Sequence, residues 1–175
     1  MTFIGLMFNG ISAASADPTD SAIYFQRRYK NDPKKLEEYT KGLKYDCLVC
    51  KYKIQENTKH CGPCNRCCHK FDHHCGWLNN CVGEANFSSF IYSTVFLALY
   101  MVASIVLILL CHPNRFRWHV YIPISLDFVG FIFSSELIIW HLYFYLKGIT
   151  TYTHFQFKKV QREKLQKLKN KEISE

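Results

Sequence analysis

Charged residues are absent where a soluble domain would carry them. The block Ser88–Cys111 contains no Asp, Glu, Lys or Arg, and Val120–Leu146 contains two acidic residues and one histidine, Asp127, Glu136 and His141. Each block exceeds the roughly 20 residues that an α-helix needs to cross a bilayer. We therefore predict a mainly α-helical membrane protein in which the two blocks form a transmembrane hairpin. Ionisable side chains inside a span normally face other helices, so we interpret Glu136 and His141 as buried helix–helix contacts.

Basic residues are scarce in the short connection between the two blocks. Of 22 Lys and Arg, two lie in His112–His119, whereas twelve lie in Arg27–Lys70 and eight in Lys147–Lys171. The positive-inside rule then predicts that both flanks are cytosolic and that the connection lies on the opposite side of the membrane. Basic segments beside a membrane are attracted to anionic headgroups, so we count membrane lipids among the expected partners.

The sequence also lacks the signs of two other classes of basic or cysteine-rich protein. It has no C-x2-4-C-x12-H-x3-5-H spacing, the pattern of a nucleic-acid-binding finger, and we predict no nucleic-acid partner. Eight of the nine cysteines fall within Cys47–Cys81, in a segment predicted to be cytosolic, where disulfides are rare. Histidines are interleaved with these cysteines, which favours metal thiolates. We detect no internal repeats and no low-complexity tracts.

The segment Cys47–Cys81 offers more ligands than two zinc ions need. Two C-x-x-C pairs, Cys47/Cys50 and Cys61/Cys64, each present two sulfurs from one tight turn, a common start of a tetrahedral zinc site. Structural zinc sites use four protein ligands each, and the segment holds eight cysteines and four histidines. Four candidates are therefore left over for chemistry. Spacing alone makes the plausible remainder Cys68, His69, His73 and Cys75, without fixing the partition.

The run FDHHCGWLNNCVGEANFSSF, which begins at Phe71, closely resembles the core of the DHHC-type protein S-acyltransferases, or palmitoyltransferases. The upstream Cys/His spacing is similar to that of the family's cysteine-rich domain. The resemblance implies a cytosolic domain of short β-hairpins and loops organised by two structural zinc ions. It assigns one zinc to Cys47, Cys50, His60 and Cys67, and the other to Cys61, Cys64, His74 and Cys81.

The resemblance also implies a reaction. Cys75 is the expected nucleophile, with Asp72 and His73 as its activating partners. A long-chain acyl group would pass from acyl-CoA, such as palmitoyl-CoA, to Cys75 and then to a juxtamembrane cysteine of a substrate protein. A free thiol is only a few per cent ionised at neutral pH, so an imidazole oriented by a carboxylate would raise its reactive fraction. We therefore predict an enzyme, a protein-cysteine S-palmitoyltransferase of the Golgi, the endoplasmic reticulum or the plasma membrane.

Motifs outside the cysteine-rich segment match the family in part. The matching residues are Asp17 and Pro18 for its Asp-Pro-Gly motif, Thr150 and Thr151 for its TTxE motif, and Asn86 after the NNCVG run. Thr153 stands in place of the Glu of TTxE. Tyr100, about 18 Å along the first predicted span, resembles the position that bounds the acyl cavity. Cys68 is an extra cysteine, which we interpret as a small buried hydrophobe.

These features predict a domain organisation in five parts. Residues 1–16 are the remnant of a membrane helix, 17–44 a cytosolic linker, 45–87 the zinc domain, 88–147 two transmembrane helices, and 148–175 a cytosolic basic tail. The family usually has two helices before its cysteine-rich domain, so the resemblance implies an N-terminally truncated member. The alternative function is a catalytically inactive, membrane-anchored zinc adaptor.

Overall fold

A computed structural model of the protein describes residues 1–111 and 118–174. The helices of this part are α1 (Thr2–Ser15), α2 (Ser21–Arg28), α3 (Pro33–Thr40), α4 (Phe87–Cys111), α5 (Trp118–Leu146) and α6 (Thr151–Ser174). The strands are β1 (Tyr45–Cys47), β2 (Tyr52–Ile54), β3 (Lys59–Cys61), β4 (Arg66–Cys68), β5 (His73–Cys75) and β6 (Asn80–Val82). Most of the connection predicted to be non-cytosolic, residues 112–117, lies outside the described residues.

The two long apolar helices α4 and α5 pack against each other, and α1 packs along α4. Glycines allow this close approach, because a Cβ atom at Gly5 would lie 2.7 Å from the Phe96 ring and one at Gly130 would lie 2.4 Å from Met101 Cε. Both α4 and α5 are long and apolar enough to cross a membrane. Only 11% of the most apolar stretch of α4, and 6% of that of α5, is buried. Most apolar side chains of these two helices therefore face outward.

The cysteine-rich segment folds into three antiparallel β-hairpins, β1–β2, β3–β4 and β5–β6. A cysteine ends the first strand of each hairpin, and these cysteines recur every 14 residues at positions 47, 61 and 75. Four residues connect the strands, and the last of the four has a positive φ, 58° at Lys51, 46° at Asn65 and 48° at Asn79. The prediction that the chain has no internal repeat is therefore wrong. The connecting sequences LVCK, GPCN and GWLN share a backbone conformation more than they share residues.

The segment predicted to be a linker contributes a helix to the core of the hairpins. Asp20 precedes α2, and its carboxylate accepts hydrogen bonds from the backbone N–H of Gln55 at 2.9 Å and the hydroxyl of Thr58 at 2.6 Å. Ile23 of α2 is buried in a cluster with Cys47, Ile54 and Cys67. Because α2 covers the side of the first two hairpins, it is part of the same folded unit.

Candidate active site and metal clusters

Two clusters of cysteine and histidine side chains lie among the hairpins. Within each cluster the ligand atoms all lie within 4.8 Å of one another. The first cluster is Cys47, Cys50, His60 and Cys67, and the second is Cys61, Cys64, His74 and Cys81. The structure thus brings together the two ligand sets that the family resemblance assigns.

The donor atoms of both clusters fit zinc. Each cluster offers three sulfurs and one imidazole, a common set in closed structural sites, and His60 Nδ1 lies 3.3 Å from Cys50 Sγ. Burial raises the pKa of Cys67 and of Cys81 above the ordinary value of a cysteine, and the neighbouring sulfurs raise it further. Crowded sulfurs of this kind become thiolates together when a cation compensates their charge, which Zn²⁺ would do.

Each cluster joins two successive hairpins. The turn of one hairpin supplies two sulfurs, and the next hairpin supplies a His–Cys pair from its two strands. These pairs, His60–Cys67 and His74–Cys81, lie opposite each other in strand register. The turns of β1–β2 and β3–β4 are both used in this way. The turn of β5–β6 has no following hairpin among the described residues.

Cys75 occupies the same position in the third hairpin that Cys47 and Cys61 occupy in the first two. The second sulfur of the turn is missing there, because Leu78 stands 14 residues after Cys64. Cys75 belongs to neither metal cluster. The third hairpin therefore presents a cysteine in a zinc-binding type of turn that lacks the remaining ligands.

This turn stabilises the Cys75 sulfur as an anion. Burial alone would raise the pKa of Cys75, but hydrogen bonds from His73 and from the backbone N–H of Leu78 lower it below the ordinary value. In the first hairpin the equivalent N–H, that of Cys50, lies 3.3 Å from Cys47 Sγ. The same backbone arrangement thus surrounds a sulfur of a metal cluster in one hairpin and a sulfur outside both clusters in another.

The buried Asp72 forms an ion pair with the half-buried His73 beside Cys75. Asp72 is 3% exposed, and its Oδ2 lies 2.8 Å from His73 Nδ1. Burial would lower the pKa of His73, but hydrogen bonds with Asp72 and Cys75 raise it to about 9. Carboxylate, imidazole and thiol therefore follow one another, which is the arrangement of an activated nucleophile.

Two further groups hold the Asp72 carboxylate. The backbone N–H of Thr151 donates to Asp72 Oδ1 at 2.7 Å, and His141 Nε2 lies 3.3 Å from Asp72 Oδ2. Burial would raise the pKa of Asp72, but the nearby His141 and His73 rings and the Thr151 N–H hold it well below its usual value. Thr151 begins α6, and the N-terminus of a helix favours a nearby negative charge.

The start of α6 is fixed by two threonines. The backbone N–H of Thr150 donates to Thr153 Oγ1 at 2.9 Å, and that of Thr153 donates to Thr150 Oγ1 at 3.2 Å. This is the reciprocal pattern of a capping box, in which the Thr153 side chain accepts the hydrogen bond that a Glu or Gln side chain usually accepts. The substitution of Thr for Glu in the TTxE-like motif therefore leaves the helix start, and with it the Thr151 N–H, in place.

The other residues left over by the ligand count, Cys68 and His69, are engaged elsewhere. Cys68 is fully buried, and burial raises its pKa to about 12, so it stays a thiol. His69 lies 3.1 Å from Thr58 Oγ1 through Nδ1 and 3.3 Å from Glu84 through Nε2. Of the four, His73 and Cys75 are the two that meet at one place.

Comparison with known proteins agrees with this geometry. The sequence profile of the DHHC palmitoyltransferases matches residues 40–158, more than half of the chain. The chain belongs to the DHHC palmitoyltransferase family.

Individual DHHC relatives match over the same region. The chain is 32% identical over 111 residues to the probable protein S-acyltransferase 15 of Arabidopsis thaliana, covering 58% of this chain and 44% of the relative. It is 31% identical over 102 residues to palmitoyltransferase ZDHHC17 of Rattus norvegicus, with coverage of 57% and 16%. It is 44% identical over 63 residues to palmitoyltransferase ZDHHC7 of Mus musculus, with coverage of 36% and 20%. The matched region spans less than half the length of these relatives.

In this DHHC protein two asparagines attach the hairpins to the end of α1. Asn86 Nδ2 donates to the carbonyl oxygens of Ala13 and Cys81, each at 2.9 Å. Asn80 Nδ2 donates to the carbonyl oxygen of Ala16 at 2.8 Å. The family resemblance indicates Asn86, whereas sequence reasoning does not single out Asn80, although it lies in the same NNCVG run.

Asp17 and Pro18, the match to the DHHC family's Asp-Pro-Gly motif, connect α1 to the hairpins. Asp17 Oδ1 accepts hydrogen bonds from Thr19 Oγ1 at 2.6 Å and from the Arg66 guanidinium at 3.1 Å. Pro18 is fully buried. Thr19, which replaces the Gly of the motif, thus has its hydroxyl bound to Asp17.

Three residues of the long helices, Tyr100, Glu136 and His141, also carry predictions. Tyr100 packs against Phe3 of α1, with ring centroids 6.0 Å apart, and its role in acyl-chain length stays a prediction. Glu136 is exposed and lines a cavity of about 490 Å³ between α5 and α6, so its interpretation as a buried contact is wrong. It lies on the face of α5 that turns toward this open cavity. His141 is buried, but it contacts Asp72 rather than only another helix.

Proposed function

We propose that this chain is a protein S-acyltransferase that moves a long-chain acyl group from acyl-CoA, through a thioester on Cys75, to cysteines of substrate proteins. The observation that carries the proposal is the position of Cys75. It lies in a turn of the zinc-binding type, outside both clusters, and beside the Asp72–His73 pair. Membership of the DHHC family supports the same class of reaction.

The first step loads the enzyme. In the resting pair the Cys75 thiol has given its proton to His73, and the resulting thiolate attacks the carbonyl carbon of the acyl-CoA thioester. A bond forms between that carbon and Cys75 Sγ, and the bond to the CoA sulfur breaks. His73 returns the proton to the departing CoA sulfur, which leaves as a free thiol. Asp72 stabilises the imidazolium between the two proton transfers.

The second step passes the acyl group on. A cysteine thiol of the substrate protein gives its proton to His73 and attacks the Cys75 thioester. The bond from the acyl carbon to Cys75 Sγ breaks, and His73 returns the proton to Cys75. Both steps exchange one thioester for another, so His73 acts as base and as acid in each of them.

The zinc ions have a structural role in this proposal. Each cluster provides four protein ligands, which leaves no coordination position for a substrate. When bound, the ions supply folding energy to a segment whose six strands have three residues each. His74 and Cys81 would then fix the two strands that flank the turn of Cys75.

The proposed setting is a membrane that α4 and α5 cross, with the hairpins and α6 at its cytosolic face. The support is the outward-facing apolar surface of both helices and the basic segments on either side of them. A long acyl chain gains about 0.8 kcal/mol for each CH2 group that leaves water, so it favours a site next to the hydrocarbon layer. Substrate cysteines close to the membrane, in the Golgi, endoplasmic reticulum or plasma membrane, would reach Cys75 from the same face.

Labelling with a clickable palmitoyl-CoA analogue tests the proposal. We expect the wild-type chain, in membranes or detergent, to acquire a hydroxylamine-sensitive label that Cys75→Ser lacks, because the thioester forms on the Cys75 thiol. Cys111→Ser is the matched control, since Cys111 is an exposed cysteine outside both clusters, and it should keep the label. A wild-type chain that binds zinc and stays unlabelled would contradict the enzyme and favour the zinc adaptor.

A further inference from the structure

His141 reaches the candidate active site from inside an apolar helix. It lies within the apolar stretch Val120–Leu146 of α5 and is 6% exposed. Its ring packs against the rings of Phe90 and His73, with centroid distances of 5.2 and 5.8 Å. An imidazole at such a place is costly unless its nitrogens have partners, so the partners of the two nitrogens indicate what it does.

One nitrogen of His141 has a partner within its own helix, and the other faces Asp72. Nδ1 lies 2.8 Å from the carbonyl oxygen of Leu137, one turn earlier. Nε2 lies 3.3 Å from Asp72 Oδ2 and, like the nearby Thr151 Oγ1, is a buried atom that forms no hydrogen bond of ordinary geometry in the described part of the chain. Hydrogen bonds in a catalytic site are often long before the substrate is bound and shorten in the complex. The Asp72 carboxylate is therefore the group that Nε2 is placed to bind.

We propose that His141 is a positioning residue for the Asp72–His73 pair. With a proton on each ring nitrogen, Nδ1–H donates to the Leu137 carbonyl oxygen and Nε2–H donates to Asp72 Oδ2. The Thr151 N–H donates to Oδ1, so the carboxylate is fixed from α5 and from α6 at once. The carboxylate held in this way keeps the His73 ring turned toward Cys75. This role rests on the proposed acyl transfer, and it ties the reactive pair to a helix that the hairpins otherwise contact little.

Ring packing alone does not account for His141. A phenylalanine would fill the same space beside Phe87 and Phe90 without bringing a polar atom into the apolar stretch. The contact that needs a nitrogen at this position is the one with Asp72. Replacement by phenylalanine and by glutamine therefore separates packing from hydrogen-bond donation.

The test compares His141→Phe, His141→Gln and the control Tyr145→Phe, each with its zinc content measured. Tyr145 is an exposed residue of the same helix, one turn further on. Acylation of Cys75 is followed over a range of concentrations of the clickable palmitoyl-CoA analogue. Alkylation of Cys75 by iodoacetamide, measured on the Cys75 peptide by mass spectrometry, gives a second readout that needs no acyl-CoA.

We expect His141→Phe to lower the saturating acylation rate by about tenfold or more, at an unchanged half-saturating concentration and full zinc content. His141→Gln keeps a donor near Asp72 and should stay within about threefold of the wild type. Tyr145→Phe should match the wild type, and alkylation should follow the same order. A His141→Phe chain that is as reactive as the wild type, or a His141→Gln chain as slow as His141→Phe, would overturn the inference. A wild type that is alkylated but never acylated would refute the proposed function, and the alkylation order would still decide the role of His141.

Discussion

At the scale of single residues, two side-chain amides determine how the hairpins meet α1. The last turn of a helix leaves carbonyl groups without partners inside the helix. Asn80 and Asn86, which are 4% and 1% exposed, donate to these carbonyl groups at the end of α1. Asn86 also accepts a hydrogen bond from the Gly83 N–H, so all of its polar atoms are used.

Asn86→Asp should therefore be strongly destabilising. The carboxylate would lose both donated hydrogen bonds and would face the carbonyl oxygens of Ala13 and Cys81, at an expected cost of about 2 kcal/mol or more. Thermal melting in detergent measures this loss. Asn79→Asp is the matched control, because Asn79 is exposed in a turn whose left-handed backbone aspartate also tolerates. Equal melting temperatures for the two variants would contradict the role given to Asn86.

The sequence predicts those side-chain contacts whose partners lie close together in the chain, and it misses those whose partners lie far apart. The cysteines and His60 or His74 are recognisable because metal ligands follow short spacings. The contact between Asp72 and His141, by contrast, joins residues far apart in the chain, and no local pattern encodes it. His141 was recognisable from the sequence only as an unusual ionisable residue in an apolar block.

At the scale of elements, the three hairpins form a chain in which each metal cluster joins one hairpin to the next. The first cluster has its ligands in the turn of β1–β2 and in the strands of β3–β4. The second cluster has its ligands in the turn of β3–β4 and in the strands of β5–β6. The free cysteine then follows from the order of the hairpins, since the last turn has no successor among the described residues. Cys75 thus shares its position within the repeat with the cluster sulfurs Cys47 and Cys61, and it differs from them in lying in the last hairpin.

Zinc stoichiometry separates these positions. We expect Cys75→Ala to retain about two zinc ions per chain, because Cys75 belongs to neither cluster. Cys67→Ser removes a buried sulfur from the first cluster and should retain about one. Metal analysis of the purified variants gives both values. A loss of zinc from Cys75→Ala would show that the partition of ligands is wrong.

The elements differ in how well the sequence predicts them. α4 and α5 follow from the length and lack of charge of two blocks, to within a few residues. Strands of three residues are too short to show an alternating pattern, and their pairing depends on the metal clusters and on turn geometry. α2 was missed because it has only eight residues, half of them polar, and because its burial depends on Asp20 reaching Gln55 and Thr58 between β2 and β3.

At the scale of the whole molecule, the hairpins and the helices are held together by different forces. The helices α1, α4 and α5 satisfy most of their backbone hydrogen bonds internally and pack through apolar side chains, so they need no metal. The hairpins depend on the clusters and on a few polar contacts to the helices, chiefly those of Asn80, Asn86 and Asp72. The candidate active site lies at this junction, where Asp72 belongs to the hairpins and the neighbouring Thr151 and His141 belong to the helices.

Zinc removal should therefore separate the two parts. After treatment with a strong chelator, we expect the eight cysteines of the hairpins to become accessible to alkylation and acylation of Cys75 to stop, because the turn that positions Cys75 is held by His74 and Cys81. The helical signal in circular dichroism should fall only slightly, since α4, α5 and α6 make up most of the helical residues. A chelator loaded beforehand with zinc is the control and should leave all three readings unchanged. A collapse of the helical signal together with the loss of zinc would show instead that the hairpins hold the helices together.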